Sequence, residues 1–420
     1  MGDFGFDSGW GVATDRSGNI TLVGRFQGTV DFGGGPLTGA GDYDVFVASY
    51  TTDAVHRWSK AFGGPTRDYS FGIAVDNEDN TVITGHFQGS ANFGGNVLTS
   101  AGSNDIFMAS YDSKGAHRWS RGLGGTEDDQ GRAVATDGSG NITITGLFHG
   151  SVDFGAGPVV GGLSSDVFVA SYDASGAHRW SRGAGGVMAD IGHGVTVDSG
   201  GNVTVTGGFW GTANFGGDPL IDADNGDIFV ASYTTKGAHR WSKAFNSNWS
   251  NYGKAVAADD DGNVTLTGTF GLSLDFGGGT LVSKGNTDVF VASFSAKGEH
   301  RWSKALGSTA PDKGHGITVD GGGNVFVTGS FQDTADFGGG LTTSAGLRDI
   351  FVASYSLSGA HRWSMRFGGP VLDEGQSVAV DKNGNVALTG YFGDSIDFGG
   401  NTLTSVGSTD VFLARFVPQP

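Results

Sequence analysis

The chain has 420 residues, 78 of them Gly and none Cys, and its 43 acidic against 25 basic side chains set a net charge of −18. Glycine costs about 1 kcal/mol relative to alanine inside a helix, so helical bundles are excluded, and the glycines do not recur at every third position as collagen requires. The composition also excludes disulfides and thiolate chemistry, the acidity argues against a nucleic-acid partner, and no apolar run reaches the length of a membrane helix.

In chain order, one unit repeats. In residues 71–123, FGIAVD (71–76) and NTVITGHF (80–87) read as strands around a turn at Asp76 to Asn80. DIFMASY (105–111) and AHRWSRGLGG (116–125) read as strands around the turn Asp112-Ser113-Lys114-Gly115, and a seventeen-residue loop separates the two hairpins. The tetrapeptide His-Arg-Trp-Ser starts at His56, His117, His178, His239, His300 and His361, at a constant spacing of 61 residues. Asp15, Asp76, Asp137, Asp198, Asp259, Asp320 and Asp381 keep the same period, as do Asp44, Asp105, Asp166, Asp227, Asp288, Asp349 and Asp410. Four antiparallel strands repeated seven times predict an all-β fold, a seven-bladed β-propeller with four-stranded blades, as one domain over 1–420. A β-solenoid is the rival.

The His-Arg-Trp-Ser series has six members where the Asp series have seven, so the last blade lacks its fourth strand. Met1 is in register with Phe62, which places the absent VHRWSKA equivalent immediately ahead of Met1. The chain is expected to end as a three-stranded blade running into Val417-Pro418-Gln419-Pro420, with an open edge along Val411 to Phe416. An open edge invites another strand, so the expected state is a monomer or a weak edge-mediated dimer.

The runs W-S-x-x-x-G-G, D-x-G-x-[AGS]-[VI]-[AT]-V-D, G-N-V-x-V-T-G and D-[VI]-F-V-A-S-Y-x-x-x-G resemble, over the whole chain, the bacterial seven-bladed β-propeller repeat (SBBP repeat) of large extracellular and surface proteins. The resemblance implies a propeller fold and an extracellular or cell-surface location. It brings no general activity and no catalytic residues. Asn251 departs from the pattern, standing where the other units have the Asp of D-x-G.

A residue found in every blade is first a blade-building residue. Asp in the turns accepts backbone N–H bonds; the alternative is calcium at Asp259-Asp260-Asp261-Gly262-Asn263, an incomplete oxygen set. No cofactor is otherwise expected. The His-Arg-Trp-Ser strand alternates His/Trp with Arg/Ser, and its basic side chains are expected to guard an exposed outer edge. Trp58 and its equivalents are expected between blades, or alternatively as stacking platforms for sugars.

Localised function belongs where the blades differ. The position after D-x-G reads Trp10, Phe71, Arg132, His193, Lys254, His315 and Gln376, expected at the mouth of a channel lined by the first strands. A second variable ring, expected just after the second strand, is Arg25, His86, Leu147, Gly208, Thr269, Ser330 and Tyr391, with Gln27, Gln88, His149, Trp210, Gly271, Gln332 and Gly393 two positions on. Variable side chains on a rigid frame suit binding; the alternative is that these are unconstrained strand ends. The expected function is a noncatalytic binding or interaction scaffold for a protein or glycan ligand. The alternatives are a carbohydrate-binding lectin and a channel-mouth lyase or hydrolase using His193 and His315. No G-x-S-x-G, H-E-x-x-H or Walker signature supports the last.

Overall fold

The computed structural model describes residues 1–2, 5–222, 226–247, 249 and 251–417. Blade 1 is built from Ser8–Thr14, Ile20–Phe26, Asp44–Tyr50 and His56–Phe62, antiparallel and in sequence order. Asp15 closes the first hairpin: its Oδ1 accepts the N–H groups of Ser17 and Asn19 at 2.9 and 2.8 Å, which leaves Gly18 at φ 79°. The pattern recurs at 61-residue intervals, with first strands Asp68–Val75, Gln130–Thr136, Asp190–Val197, Tyr252–Ala258, Lys313–Val319 and Asp373–Val380. Each first strand packs on the next, and Ser8–Thr14 packs on Asp373–Val380, so the seven sheets close a ring around a central channel. The structure is a seven-bladed β-propeller.

Blade 7 has three strands, Asp373–Val380, Val386–Phe392 and Asp410–Phe416. Met1 and Val411 exchange both backbone hydrogen bonds, at 3.0 and 2.9 Å, as Val45 pairs with Phe62 in blade 1. Met1 thus occupies the last rung of the missing strand, where the 61-residue register places it. Pro418 to Pro420 lie outside the described residues. Joining VHRWSKA ahead of Met1 is therefore expected to raise thermal stability, by on the order of 2 kcal/mol for one covered indole. Elsewhere that indole lies on the turn glycine of the next blade, where a Cβ on Gly115 would sit 2.6 Å from Trp58. Blade 1 has Ala54 at this position, at φ 60°. Ala54→Gly should accordingly enlarge the gain; an unchanged melting temperature in both extended chains would refute the pairing.

Between the second and third strands the structure corrects the expected loop. Thr29–Asp31 and Pro36–Thr38 pair as a short hairpin that returns Phe32 onto Phe46, ring centroids 4.4 Å apart. Asp31 Oδ1 holds its turn through the N–H groups of Gly33 and Gly35, at 2.7 and 3.0 Å. Equivalent stacks, among them Phe93 on Phe107 at 4.0 Å and Phe215 on Phe229 at 4.2 Å, centre the blade cores. Three-residue strands with exposed ends carry too little alternation to be read from sequence.

The outer strand is corrected in a second respect. Arg57 is half-buried; its Nη1 donates to Ser49 Oγ at 3.0 Å and its Nη2 to the Ser113 carbonyl of blade 2 at 2.9 Å. Arg179, Arg240 and Arg301 repeat the bond to the next blade at 3.4, 3.0 and 3.4 Å and so clamp blades together, while Arg118, Arg179 and Arg362 remain exposed on the outer edge as expected. The tryptophans lie between blades as expected: Trp58 Nε1 donates to Ser113 O at 3.3 Å, and Trp119, Trp180, Trp241 and Trp302 repeat the bond to the next blade at 3.0–3.1 Å. His56 packs over Gly34 and edge-on to Tyr50, a structural role that its five equivalents share.

Candidate functional site

All seven first strands slip register at one place against their second strands: between Gly9 and Gly11, Ser70 and Gly72, Gly131 and Ala133, Gly192 and Gly194, Gly253 and Ala255, Gly314 and Gly316, and Gly375 and Ser377. Each slip is a β-bulge, and the extra residue of a bulge leaves the ladder and turns its side chain. Those extra residues are Trp10, Phe71, Arg132, His193, Lys254, His315 and Gln376. The structure brings all seven together around one cavity of about 420 Å³ at the mouth of the channel.

Two glycines make room for the bulge in every unit but the second, where Ser70 stands at one of the two positions. The carbonyl ahead of it lies over the Gly that closes the V-T-G run, so a Cβ on Gly207 would fall 1.9 Å from Ile191 O, and the other six blades repeat the contact at 1.8–2.0 Å. The Gly that precedes the bulge approaches the neighbouring blade, where a Cβ on Gly192 would meet Thr145 Oγ1 at 2.4 Å.

The second ring belongs inside the second strand rather than beyond it. Arg25, His86, Leu147, Gly208, Thr269, Ser330 and Tyr391 lie directly across from Ser8, Tyr69, Gln130, Ile191, Tyr252, Lys313 and Glu374. This opposing set is the x of D-x-G, and sequence reasoning passed over it; its variability from unit to unit was the available signal. The third set, from Gln27 to Gly393, serves through its backbone. Gln27, His149, Gln332 and Gly393 donate N–H bonds to the buried Asp7, Asp129, Asp312 and Asp373, at 2.9–3.2 Å. Burial pushes Asp68 and Asp190 up to about 7, and Asp312 and Asp373 to about 6, against the hydrogen bonds they accept.

Charge is unevenly spread around the mouth. In blades 6 and 7, buried Glu374 gathers Lys313 Nζ at 3.8 Å, His315 Nε2 at 3.4 Å, Gln376 Nε2 at 3.0 Å and the Arg348 guanidinium. Burial alone would raise its pKa, but His315 and Lys313 beside it hold the carboxyl below its usual range. In blades 1 and 2, Arg25 lies between Tyr43 and Tyr69, 4.8 Å from each ring, while Trp10 meets Phe71 edge-on at 5.4 Å.

Blades 3 to 5 supply Arg132, His193 and Lys254. Arg132 Nη2 donates to Gln130 Oε1 at 2.6 Å and its guanidinium covers Phe71 at 4.7 Å. Lys254 Nζ lies over Tyr252 at 5.6 Å, and His193 meets the same ring edge-on at 6.3 Å. Burial, then the charges of Arg132 and Lys313, bring Lys254 down to about 8. Burial and the Lys254 charge keep His193 neutral. His193 and His315 therefore face different partners, Tyr252 and Glu374.

At the proposed calcium turn, Asp259 Oδ1 accepts the N–H groups of Asp261 and Asn263 at 3.1 and 2.8 Å. Among the described residues no group of three or more His, Cys, Asp or Glu could hold a metal ion. Among the described residues no helix is long and apolar enough to cross a membrane.

Residues 301–330 match the family model SBBP, a beta-propeller repeat, in agreement with the resemblance read from the sequence. The chain is 22% identical to an uncharacterized WD repeat-containing protein of Acanthamoeba polyphaga mimivirus, over 93% of this chain and 36% of that protein. It is 25% identical to the regulatory protein FlaEY of Caulobacter vibrioides, over 49% of this chain and 21% of that protein. The chain thus spans about a third or less of these curated relatives. Among solved structures, the beta-propeller domain of the Trilobed protease from Pyrococcus furiosus has a TM-score of 0.46 at 9% identity, covering 97% of this chain and 93% of that one. The Neurospora crassa Pan2 WD40 domain has a TM-score of 0.41 at 10% identity, covering 90% and 85%.

Proposed function

We propose that the chain is a noncatalytic binding module of a bacterial surface or secreted protein, and that it takes its ligand at the channel mouth. The observation that carries this reading is that seven identical bulges aim seven different residue positions into one cavity, on a frame otherwise repeated blade by blade. Structural need would repeat one side chain with the backbone; here seven positions carry six different side chains, His alone occurring twice. A WD repeat-containing relative and a regulatory relative support an interaction role.

The test is a glycan array and a peptide array probed with the full chain and with Trp10→Ala/Gln376→Ala. Bulge residues make no ladder bond, so this variant is expected to fold, with a melting temperature within about 3 °C of the parent. Loss of every array signal in the variant is the expected result. Signals that survive it and vanish on changing Trp180 would favour the lectin alternative. A cavity of about 370 Å³ between blades 3 and 4, lined by Arg182, Asn214 and Tyr233, offers that reading a groove. The indoles themselves have one face covered, since a Cβ on Gly237 would lie 2.7 Å from Trp180.

A further inference from the structure

Resting on the channel mouth as a binding site, we infer that the arc of blades 3 to 5 is a subsite for a tetrahedral oxyanion group, a phosphate or sulfate ester, held by Arg132, Lys254 and His193. These three groups come from the bulges of consecutive blades and line the same cavity. Opposite them, Glu374 pairs with both Lys313 and Arg348 within blades 6 and 7. Nothing equivalent serves the cations of the arc: among the described residues no carboxylate comes within 4.0 Å of Arg132 or Lys254. The carboxylate that does act on Arg132 from a distance, Asp128, is occupied by Gln130 Nε2 at 2.7 Å and by Asn104.

A protein of net charge −18 has thus placed two cations without a paired carboxylate around one cavity, on either side of His193. Arg132 spends one donor, Nη2, on Gln130 Oε1. Arg132 Nε is buried without a hydrogen-bond partner, an arrangement that costs stability unless a ligand satisfies it. The rings of Phe71 and Tyr252 support the two cations from one side without accepting a conventional hydrogen bond, which leaves N–H groups to face the cavity. A planar carboxylate is satisfied by one guanidinium fork. Donors converging from three blades, one of them the point charge of a lysine, instead suit an anion with oxygens in several directions and more than one negative charge.

Inorganic phosphate, inorganic sulfate and ribose 5-phosphate are the probes, titrated calorimetrically and by thermal shift into the full chain at pH 7, with chloride at matched ionic strength as reference. Sulfate or phosphate is expected to raise the melting temperature beyond chloride, and Arg132→Gln/Lys254→Met to abolish the difference. Without anion, that double variant should melt no lower than the parent, because like charges have been removed. Tighter binding of ribose 5-phosphate than of phosphate identifies an esterified ligand; equal binding identifies the free ion. An absent oxyanion effect, or one retained in the double variant, overturns the subsite. If array ligands are still lost on Trp10→Ala/Gln376→Ala in that case, the mouth remains the binding site and only its oxyanion chemistry is wrong.

Discussion

Relative to the parent, Asp190→Asn is expected to gain on the order of 2 kcal/mol of unfolding free energy as the pH is raised from 5 to 8, because the parent gives up a buried proton there and the variant has none to give up. Asp68, Asp190, Asp312 and Asp373 are buried where charge is disfavoured, so their folded-state pKa values of about 7, 7, 6 and 6 lie well above the 3.8 of an exposed carboxyl. Between those values the folded chain holds protons that the unfolded chain has released. The stability these groups contribute is therefore complete below about pH 4 and is lost as pH rises through 6 and 7. Each group changes unfolding free energy by up to about 1.4 kcal/mol per pH unit inside its window, and several kcal/mol accumulate across the four. Glu374 acts with the opposite sign in acid, since its partners hold its pKa down, and His86, His193 and His315, which burial keeps neutral, add stability as the pH rises through the ordinary histidine range, so the carboxyl share is read by comparing variant with parent. Thermal unfolding of parent and variant at half-unit pH steps would show the difference, and parallel curves between pH 5 and 8 would contradict it. Asp190→Asn should remove one share of the slope. Blade 5 already carries Asn251 at this position, where its Oδ1 accepts the Gly271 N–H at 3.0 Å as Asp does elsewhere.

Gly207→Ala is expected to destabilise the protein by about 3 kcal/mol, far more than a methyl group on a strand normally does. The added Cβ would fall 1.9 Å from Ile191 O, a backbone atom that cannot swing aside. Relief requires the bulge at His193 to flatten, which pulls that ring out of the mouth. Gly321→Ala is the control, because a Cβ there meets nothing within 4 Å. Equal melting temperatures for the two variants would show that the bulge yields without cost.

What the sequence disclosed depended on repetition. The 61-residue period carried blade number, strand order and the register that puts Met1 opposite Val411, because each is a property of spacing. The mouth ring was legible for the complementary reason: Trp10, Phe71, Arg132, His193, Lys254, His315 and Gln376 break a pattern their neighbours keep. The bulge that aims them was not, since its signature is a pair of glycines in a chain already rich in glycine. Glu374 and Lys313 escaped because a variable x between a fixed Asp and a fixed Gly reads as slack, and only strand pairing sets it against the second ring. Arg57 was misplaced because a charge on an outer strand is ordinarily solvated, whereas here its acceptor is a turn carbonyl 56 residues away.

The bulges also bear on how such a chain can change over generations. A side chain that takes part in a ladder is answerable to its partner across the strand, and replacing it perturbs both. The seven bulge residues answer to no such partner, so point substitutions there alter recognition while copying of whole units preserves the frame. Duplication and diversification thus act on separate residues: copies of one blade supply the ring, and a seven-letter word written at positions 10, 71, 132, 193, 254, 315 and 376 supplies its specificity.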